Sequence, residues 1–396
     1  MNAKEREDNH PNGIILCGVC KNVVNTLPVI RAAFEELVEK AGVPCWAIFY
    51  ENNSDDGTDA ELMNWAAEMP DQVQVQCDKF VKEEELSRCV ARTYDNKPCR
   101  VEQIAHARNK LLDMLEGGHS PLKPPLEGEA PREGGVWGTI GSSAKYVIMI
   151  DTDNPVPFPV NAIVRCIARD PDGFDALVCN GLNAMGYMHD TYAYRDTQFR
   201  FGPEIMREAF WAGHHQCYMQ TAIHNKTMLF NDQIKQNPAL LPYIPIASGF
   251  NGLCIFRREA IKGVTYSAIP TAELNTEYKL LNCIPPLAEN AKIHLNGASV
   301  GIYLFPSNKL INDNHTNHHN NHNNHNHHNN HNNHNNHNNN DDNNNNSNSN
   351  SNGIFYFHNS GYNFPVVCEH VPFFAGMRAH NQRRIYLCTD LVWNWI

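Results

Sequence analysis

Three short apolar runs near the start of the chain, separated by stretches of helical spacing, constrain the fold more than any other feature. Gly13 to Val19 is one continuous apolar run, the pattern of a strand buried on both faces. Lys21, Asn22 and Asn25 then make a polar loop. Asn25 or Thr26 suits a helix cap and Pro28 its first turn. Ile30, Ala33, Phe34, Leu37 and Ala41 keep helical spacing as far as Gly42, a stop signal. Cys45 to Tyr50 is a second strand, and Leu62, Trp65 and Ala66 mark a second helix. Val73 and Val75, alternating with Gln, give a third and more exposed strand. This rhythm predicts an α/β fold: a mixed, mostly parallel, Rossmann-like sheet flanked by helices.

The same pattern continues. Val101 to Leu115 reads as a helix with Ile104, Ala107, Leu111, Leu112 and Leu115 on its apolar side, interrupted by Arg108 and Asn109. Gly117 to Ser143 is rich in Gly and Pro and reads as a long surface loop. Tyr146 to Ile150 is again a buried strand, and Asp151-Thr152-Asp153-Asn154 leaves its carboxyl end. Ligands of open α/β sheets sit outside the carboxyl ends of the strands. Carboxylates there suit Mg²⁺ or Mn²⁺ bridging to substrate phosphates. Taken alone, the same residues are also what a turn after a strand prefers.

Ala162 to Ile167 is helical by spacing, and Ala176 to Cys179 is a short strand. Gly181 to Tyr218 is dense in Tyr, His, Arg and Trp, a mixture that sugar and nucleotide sites use. Ala247 to Phe256 is a Gly-broken strand, where Gly lets a ligand or another backbone approach. Val366 to Phe373 reads as a short strand running into Glu369-His370, followed by a helix to Ala379 and a last strand, Arg384 to Leu387.

Charge narrows the partners. The formal net charge is −11 and no long basic run occurs. That argues against nucleic acid and against an anionic membrane surface. A phosphate ligand would need a metal or a few placed Arg residues to offset repulsion. The 13 cysteines are irregularly spaced. Cys17 and Cys20 form a C-x-x-C inside a strand rather than at a helix start, so they read as reduced and structural. Residues 1–12 are a polar tail without a signal-peptide core, and no apolar run has transmembrane length. The expectation is a soluble, cytoplasmic protein.

Asn312 to Asn352 is almost wholly Asn and His and reads as a disordered insertion. Its apolar flanks, Gly301 to Phe305 and Ile354 to Phe357, are expected to be two arms of one hairpin with the tract at its tip. The His residues could bind Zn²⁺ or Ni²⁺ loosely, although a neutral repeat expansion is the plainer reading.

Taken in order, these features resemble the GT-A glycosyltransferases, and within that fold the fungal capsular α-1,3-mannosyltransferase family. The matching stretches are Tyr50 to Thr58, Ala107 to Lys110, Val147 to Asp153, Asp190 to Asp196, Gly249 to Gly252 and Cys368 to His370. The resemblance implies one catalytic domain, 13–311 completed by 353–396, with a nucleotide part at about 13–153 and an acceptor part at about 154–311. It implies a metal-dependent hexosyltransferase, with mannose from GDP-mannose as the donor and retention at the anomeric carbon. Its partners would be a nucleotide-sugar donor and a glycan or glycoside acceptor, and its cofactor Mn²⁺ or Mg²⁺.

The implied site residues carry the appropriate chemistry. Glu51, Asp56, Arg108, Asn109, Asp151 and Asn251 would bind the nucleotide sugar. Asp151, Asp153 and His370 would hold the metal, the imidazole favouring Mn²⁺. Asp190, Arg195, Asp196 and Glu369 would act on the sugar and acceptor, since carboxylates bind hydroxyls and can take a proton. Tyr187, Tyr192, Tyr194 and Trp211 could stack on sugar rings or simply pack in the core. Arg108 could reach a phosphate or Asp151.

Two rival readings differ in class. A sugar-1-phosphate nucleotidyltransferase would carry a Gly-rich, basic loop after the first strand, where this chain has Cys20-Lys21-Asn22. A non-enzymatic carbohydrate- or metal-binding protein would place its binding in the His-rich tract.

Overall fold

The computed structural model describes residues 13–93, 95–117, 144–200, 202, 209–280, 292–295, 298–301, 303–306, 353–356 and 366–395. The Gly/Pro-rich loop beyond Gly117 and the Asn/His tract lie outside the described residues.

Strands β1 (Gly13–Cys20), β2 (Cys45–Asn52) and β3 (Val73–Asp78) are parallel and are joined by α1 (Leu27–Ala41) and α2 (Thr58–Glu68). After α3 (Lys82–Arg88) and α4 (Arg100–Leu115), β4 (Ala144–Asp151) pairs parallel to β1 on its other side. Next come α5 (Val160–Arg169), β5 (Ala176–Leu182), α6 (Ala209–Gln236), β6 (Tyr243–Pro245), β7 (Leu253–Arg257) and α7 (Ala272–Leu280). Two small antiparallel pairs follow: β8 (Lys292–Leu295) with β9 (Ala298–Gly301), and β10 (Tyr303–Pro306) with β11 (Gly353–Tyr356). The chain closes with α8 (His370–Ala379) and β12 (Ile385–Asn394).

The main sheet has 8 strands in the order β3-β2-β1-β4-β7-β5-β12-β6. Only β7 and β6 run against the others. The expected mostly parallel α/β sheet is therefore present, with one surprise. An antiparallel β7 separates β4 from β5, a pairing that no local pattern specifies. Flanking hairpin arms were expected around the tract, and Tyr303 does pair with Tyr356 and Phe305 with Ile354.

Strand alternation sorts the core onto two faces. On one face Leu16, Phe49, Ile148 and Leu177 meet Phe34 and Leu37 of α1, Trp65 of α2 and Ile163 of α5. On the other, Ile15, Ile48, Val147, Met149 and Val178 meet Leu111 of α4 and Phe373, Phe374 and Met377 of α8. Every described cysteine is free. Among the described residues, no helix is long and apolar enough to cross a membrane.

Some local readings need correction. Thr26 makes no side-chain cap bond; its hydroxyl donates to the carbonyls of Val23 and Thr152 instead. The Gly-broken stretch is strand only from Leu253, because Asn251 and Gly252 take φ of 60° and 88° and turn the chain. Val366 to Glu369 is not a strand, since His370 already begins α8. The 28-residue α6 was not foreseen, because its apolar positions are too scattered to mark one face.

The far end of the sheet from the candidate site is tied by one carboxylate. Asp175, 2% exposed, accepts hydrogen bonds from Arg257 and Arg384 side chains at 2.9 and 2.8 Å and from the Arg384 backbone N–H at 2.9 Å. Burial pushes its pKa up, but the Arg384 bonds and both guanidinium charges outweigh burial and hold it below the ordinary value. Such a group stabilises the fold above the ordinary carboxylate range and loses that contribution as pH falls through its lowered pKa. Asp175→Ala should cost about 2 kcal/mol in urea unfolding at neutral pH, because it removes the buried acceptor of three hydrogen bonds from the half-exposed Arg257 and Arg384. The loss should shrink toward zero as the measurement is repeated in increasing acid.

Candidate active site

The parity of β4 sets the site. Val147, Met149 and Asp151 share the face covered by α4 and α8, so Asp151 emerges under those helices. Thr152 points the other way and its hydroxyl donates to the carbonyl of Val19 at 2.7 Å. Asn154 donates to the carbonyl of Asn394 at 2.9 Å. Anchored on both sides, Asp153 is presented to solvent.

A crevice of about 600 Å³ opens over this strand end. Asp151 and Asp153 lie on its floor with Phe250, and Arg108 enters from α4. Asp190 and His189 follow β5, Glu369 and His370 begin α8, and Trp395 follows β12. The site is thus assembled from six separate stretches of chain at the carboxyl edge of the sheet.

Arg108 is the charge at its centre. Its side chain is 5% exposed, with Nη2 donating to Asp151 Oδ1 at 2.9 Å and Nε lying 3.3 Å from Glu369 Oε1. The guanidinium carbon sits 4.3 Å from the Phe250 ring centroid and 5.7 Å from that of Tyr266. Two carboxylates and two aromatic faces therefore fix one planar cation. Of the two partners open to Arg108 in sequence, a phosphate or Asp151, the protein supplies Asp151.

The carboxylates crowd one another. Asp151 keeps 35% of its side chain open to the crevice, yet its pKa is pushed up to about 7. Desolvation is the largest cause; Arg108 opposes it, and the charges of Asp153, Asp190 and Glu369 add to it. Burial also raises Glu369, with Arg108 opposing. His370 is 1% exposed and held well below its ordinary pKa by burial and by Arg108, so the imidazole is neutral. Its ring stacks on Phe250 at 4.0 Å, Nε2 lies 3.5 Å from Glu369 Oε1, and neither nitrogen has a hydrogen-bond partner among the described residues.

These facts bear on the expected metal. Among the described residues, no group of three His, Cys, Asp or Glu could hold an ion by itself. A hard divalent cation held by one or two carboxylates and completed by substrate phosphates needs no such group. Excess negative charge around Asp151 is what a cation would relieve, so the two aspartates fit one on those terms, whereas His370, buried against Phe250, does not join them as the expected third ligand.

Other expected residues lie behind the crevice and hold its walls. Glu51 is fully buried; Oε1 accepts from the Ser54 N–H at 2.7 Å, Oε2 has no partner, and the neighbouring Asn52 lines the crevice instead. Asp56 accepts from Val24 N–H, Thr58 N–H and the Thr58 hydroxyl, tying two loops together. Asn109 brackets the Tyr266 backbone at 2.7 and 2.9 Å. Asn251 accepts from the Asp190 N–H at 2.8 Å and donates to the Cys179 carbonyl at 3.1 Å, so it positions Asp190. Arg195 is 3% exposed and donates to the carbonyls of Tyr192 and Tyr194. Asp196 is matched by Lys226 at 2.7 Å and the Tyr194 hydroxyl at 2.7 Å. These six lie near the crevice as expected, but their side chains are committed to other protein groups or face away from it.

Asp190 remains available. One oxygen, Oδ1, accepts from the Tyr192 and Ala193 N–H groups at 3.0 and 3.2 Å, which fixes the carboxylate. Of the aromatics named from sequence, Tyr192 lines the crevice, Tyr194 is buried, and Tyr187 packs edge-on to His224 at 5.2 Å. The Trp211 side chain lies outside the described residues. Sequence reasoning missed Phe250 as a ring partner, although it lies within a matched stretch. It also missed His189 and Trp395, whose only signals are adjacency to Asp190 and the Trp-Asn-Trp run at residues 393–395.

No protein-family model matches the chain, and no curated protein does. Solved structures give distant similarities. A mannosyltransferase from Pyrobaculum calidifontis in complex with GDP-Man and Mn²⁺ is 12% identical, with 67% of this chain and 51% of that one covered and a TM-score of 0.29. Glucosyl-3-phosphoglycerate synthase from Mycobacterium tuberculosis, in complex with Mn²⁺, UDP-Glc and phosphoglyceric acid, is 12% identical over 69% and 66% of the two chains, with a TM-score of 0.28. S. aureus TarS is 10% identical over 50% and 45%, with a TM-score of 0.25. The chain thus spans between 45% and 66% of the length of these solved chains.

Proposed function

We propose that this chain is a metal-dependent glycosyltransferase of the GT-A type, moving a hexose from a nucleotide sugar to a glycan or glycoside. The observation that carries this is the crowding of Asp151, Asp153, Asp190 and Glu369 around one buried guanidinium at the carboxyl edge of the sheet. Neutral substrates alone give no reason to keep so many carboxylates together in a crevice of about 600 Å³. A nucleotide sugar with a bound cation does.

Asp151 and Asp153 would hold the ion together with the donor's phosphates, and a divalent cation offsets the charge that builds on a departing nucleoside diphosphate. The remaining roles belong to the chain. Lys21 and Asn52 line the nucleotide end, after β1 and on β2. Arg108 holds Asp151 and Glu369 in place and keeps both ionisable groups from drifting apart. In transfer, the bond from the anomeric carbon to the phosphate oxygen breaks and one to the acceptor oxygen forms. The acceptor hydroxyl's proton needs a base, and we assign that role to Asp190, which is anchored by two N–H groups through one oxygen, with Glu369 as the alternative. Mannose from GDP-mannose and retention of configuration are the finer form of the proposal, supported by the motif resemblance.

The test is a panel of nucleotide sugars incubated with the chain, Mn²⁺ and mixed acceptors. Release of nucleoside diphosphate should depend on one or two donors, fall by about 100-fold or more in EDTA, and return with Mn²⁺. Full turnover in excess chelator would overturn the metal assignment; no turnover with any donor would overturn the activity.

A further inference from the structure

His189 and Trp395 make a second surface in the crevice. Their rings stack at 4.2 Å with 7° between planes. Trp395 is wedged from behind: a Cβ on Gly252 would fall 2.2 Å from its ring, and Trp393 lies 5.3 Å away. Both stacked residues are pinned by their backbones, His189 N–H to the Gly181 carbonyl at 2.9 Å and Trp395 N–H to the Leu182 carbonyl at 2.7 Å. Trp395 is therefore the backing and His189, which is exposed, is the open face.

The charges around the crevice are unequally shared. Lys21 follows β1 and Arg100 starts α4, which packs on β1 and β2. His189 follows β5, beyond β4 and β7 in the sheet, and the next residue in the chain, Asp190, lines the crevice with it. One end is basic and the other is aromatic and acidic. A flat ring beside carboxylates matches the apolar face and the hydroxyl edge of a pyranose, and repels an anion.

We propose that His189, backed by Trp395, is the acceptor platform, and that it takes a neutral hexopyranoside in preference to an acceptor bearing a phosphate or carboxylate. This rests on the transferase reading of the same crevice. Burial of a sugar face on His189 supplies affinity, and Asp190 meets the hydroxyl that receives the hexose.

The probe is a set of methyl hexopyranosides (manno, gluco and galacto), compared with the same hexoses carrying a phosphate monoester. Binding is read by saturation-transfer NMR and by Trp fluorescence, without donor. At least one methyl glycoside should bind the wild-type chain. Affinity should fall about 10-fold in His189→Ala, stay within about 3-fold in His189→Phe, and be about 10-fold lower for the phosphate monoesters. No binding by any methyl glycoside, unchanged affinity in His189→Ala, or tighter binding of the phosphate monoesters would each overturn the platform. A parallel thermal-shift series with nucleotide sugars and Mn²⁺ on wild type and His189→Ala separates the two ideas. No shift in wild type would sink the transferase reading and leave the glycoside result to judge the platform by itself.

Discussion

Replacing Asp151 and Asp153 together by Ala should reduce hexose transfer by about 1,000-fold or more while the chain stays folded. The expected stability change has an unusual sign. Asp151 is ionised at a cost, because its pKa in the fold, about 7, lies above the ordinary carboxylate value of 3.8. A group shifted in this direction destabilises the fold at neutral pH relative to its protonated form. Asp151→Asn should therefore melt no lower than wild type, and about 2 °C higher in metal-free buffer. Mn²⁺ should raise the wild-type melting temperature and leave the double variant unmoved. An active double variant would refute the assignment of both residues, and a double variant that melts well below wild type would make them structural.

Arg108→Met should do the opposite to stability. It removes the one cation shared by Asp151 and Glu369, at 2.9 and 3.3 Å, and leaves two carboxylates facing each other under α8. The cost should be about 3 kcal/mol or more in urea unfolding at neutral pH. Lys should rescue little, because an ammonium cannot reach both carboxylates in one plane and stack on Phe250 as well. Transfer measured on the folded fraction should drop by about 100-fold, since Glu369 and Asp151 lose their fixed positions. Wild-type stability for Arg108→Met would mean that the pair contributes nothing to the fold.

Legibility from sequence divided along a physical line. Elements that carry their own periodicity were readable: β1, α1, β2, α2 and β4 each announce themselves within a few residues. So were residues at strand ends, which is why Asp151 and Asp153 were found. Side chains of the expected site fared differently. Asn109 and Arg195 have the right chemistry at the right place in the order of motifs, yet the Asn109 amide is engaged by Tyr266, and Arg195 Nη1 by the carbonyls of Tyr192 and Tyr194. Which way a polar side chain turns is decided by its tertiary neighbours, and those neighbours are more than 100 residues distant for Asn109. Trp395 illustrates the reverse case. It reaches the crevice only because β12 runs on to Asn394 beside β5, and the aromatic stretch near residue 393 offered no periodicity to show it.

The antiparallel β7 between β4 and β5 has a consequence for synthesis. When β5 leaves the ribosome, neither of its neighbours exists: it pairs with β7 and β12, both later in the chain. The β3-β2-β1-β4 half can close early, while β5 waits as a bare apolar edge through the whole of α6 and beyond. Nascent chains stalled in that interval should be sticky, and full-length yield in a cell should track holdase supply more than it tracks the stability of the finished fold.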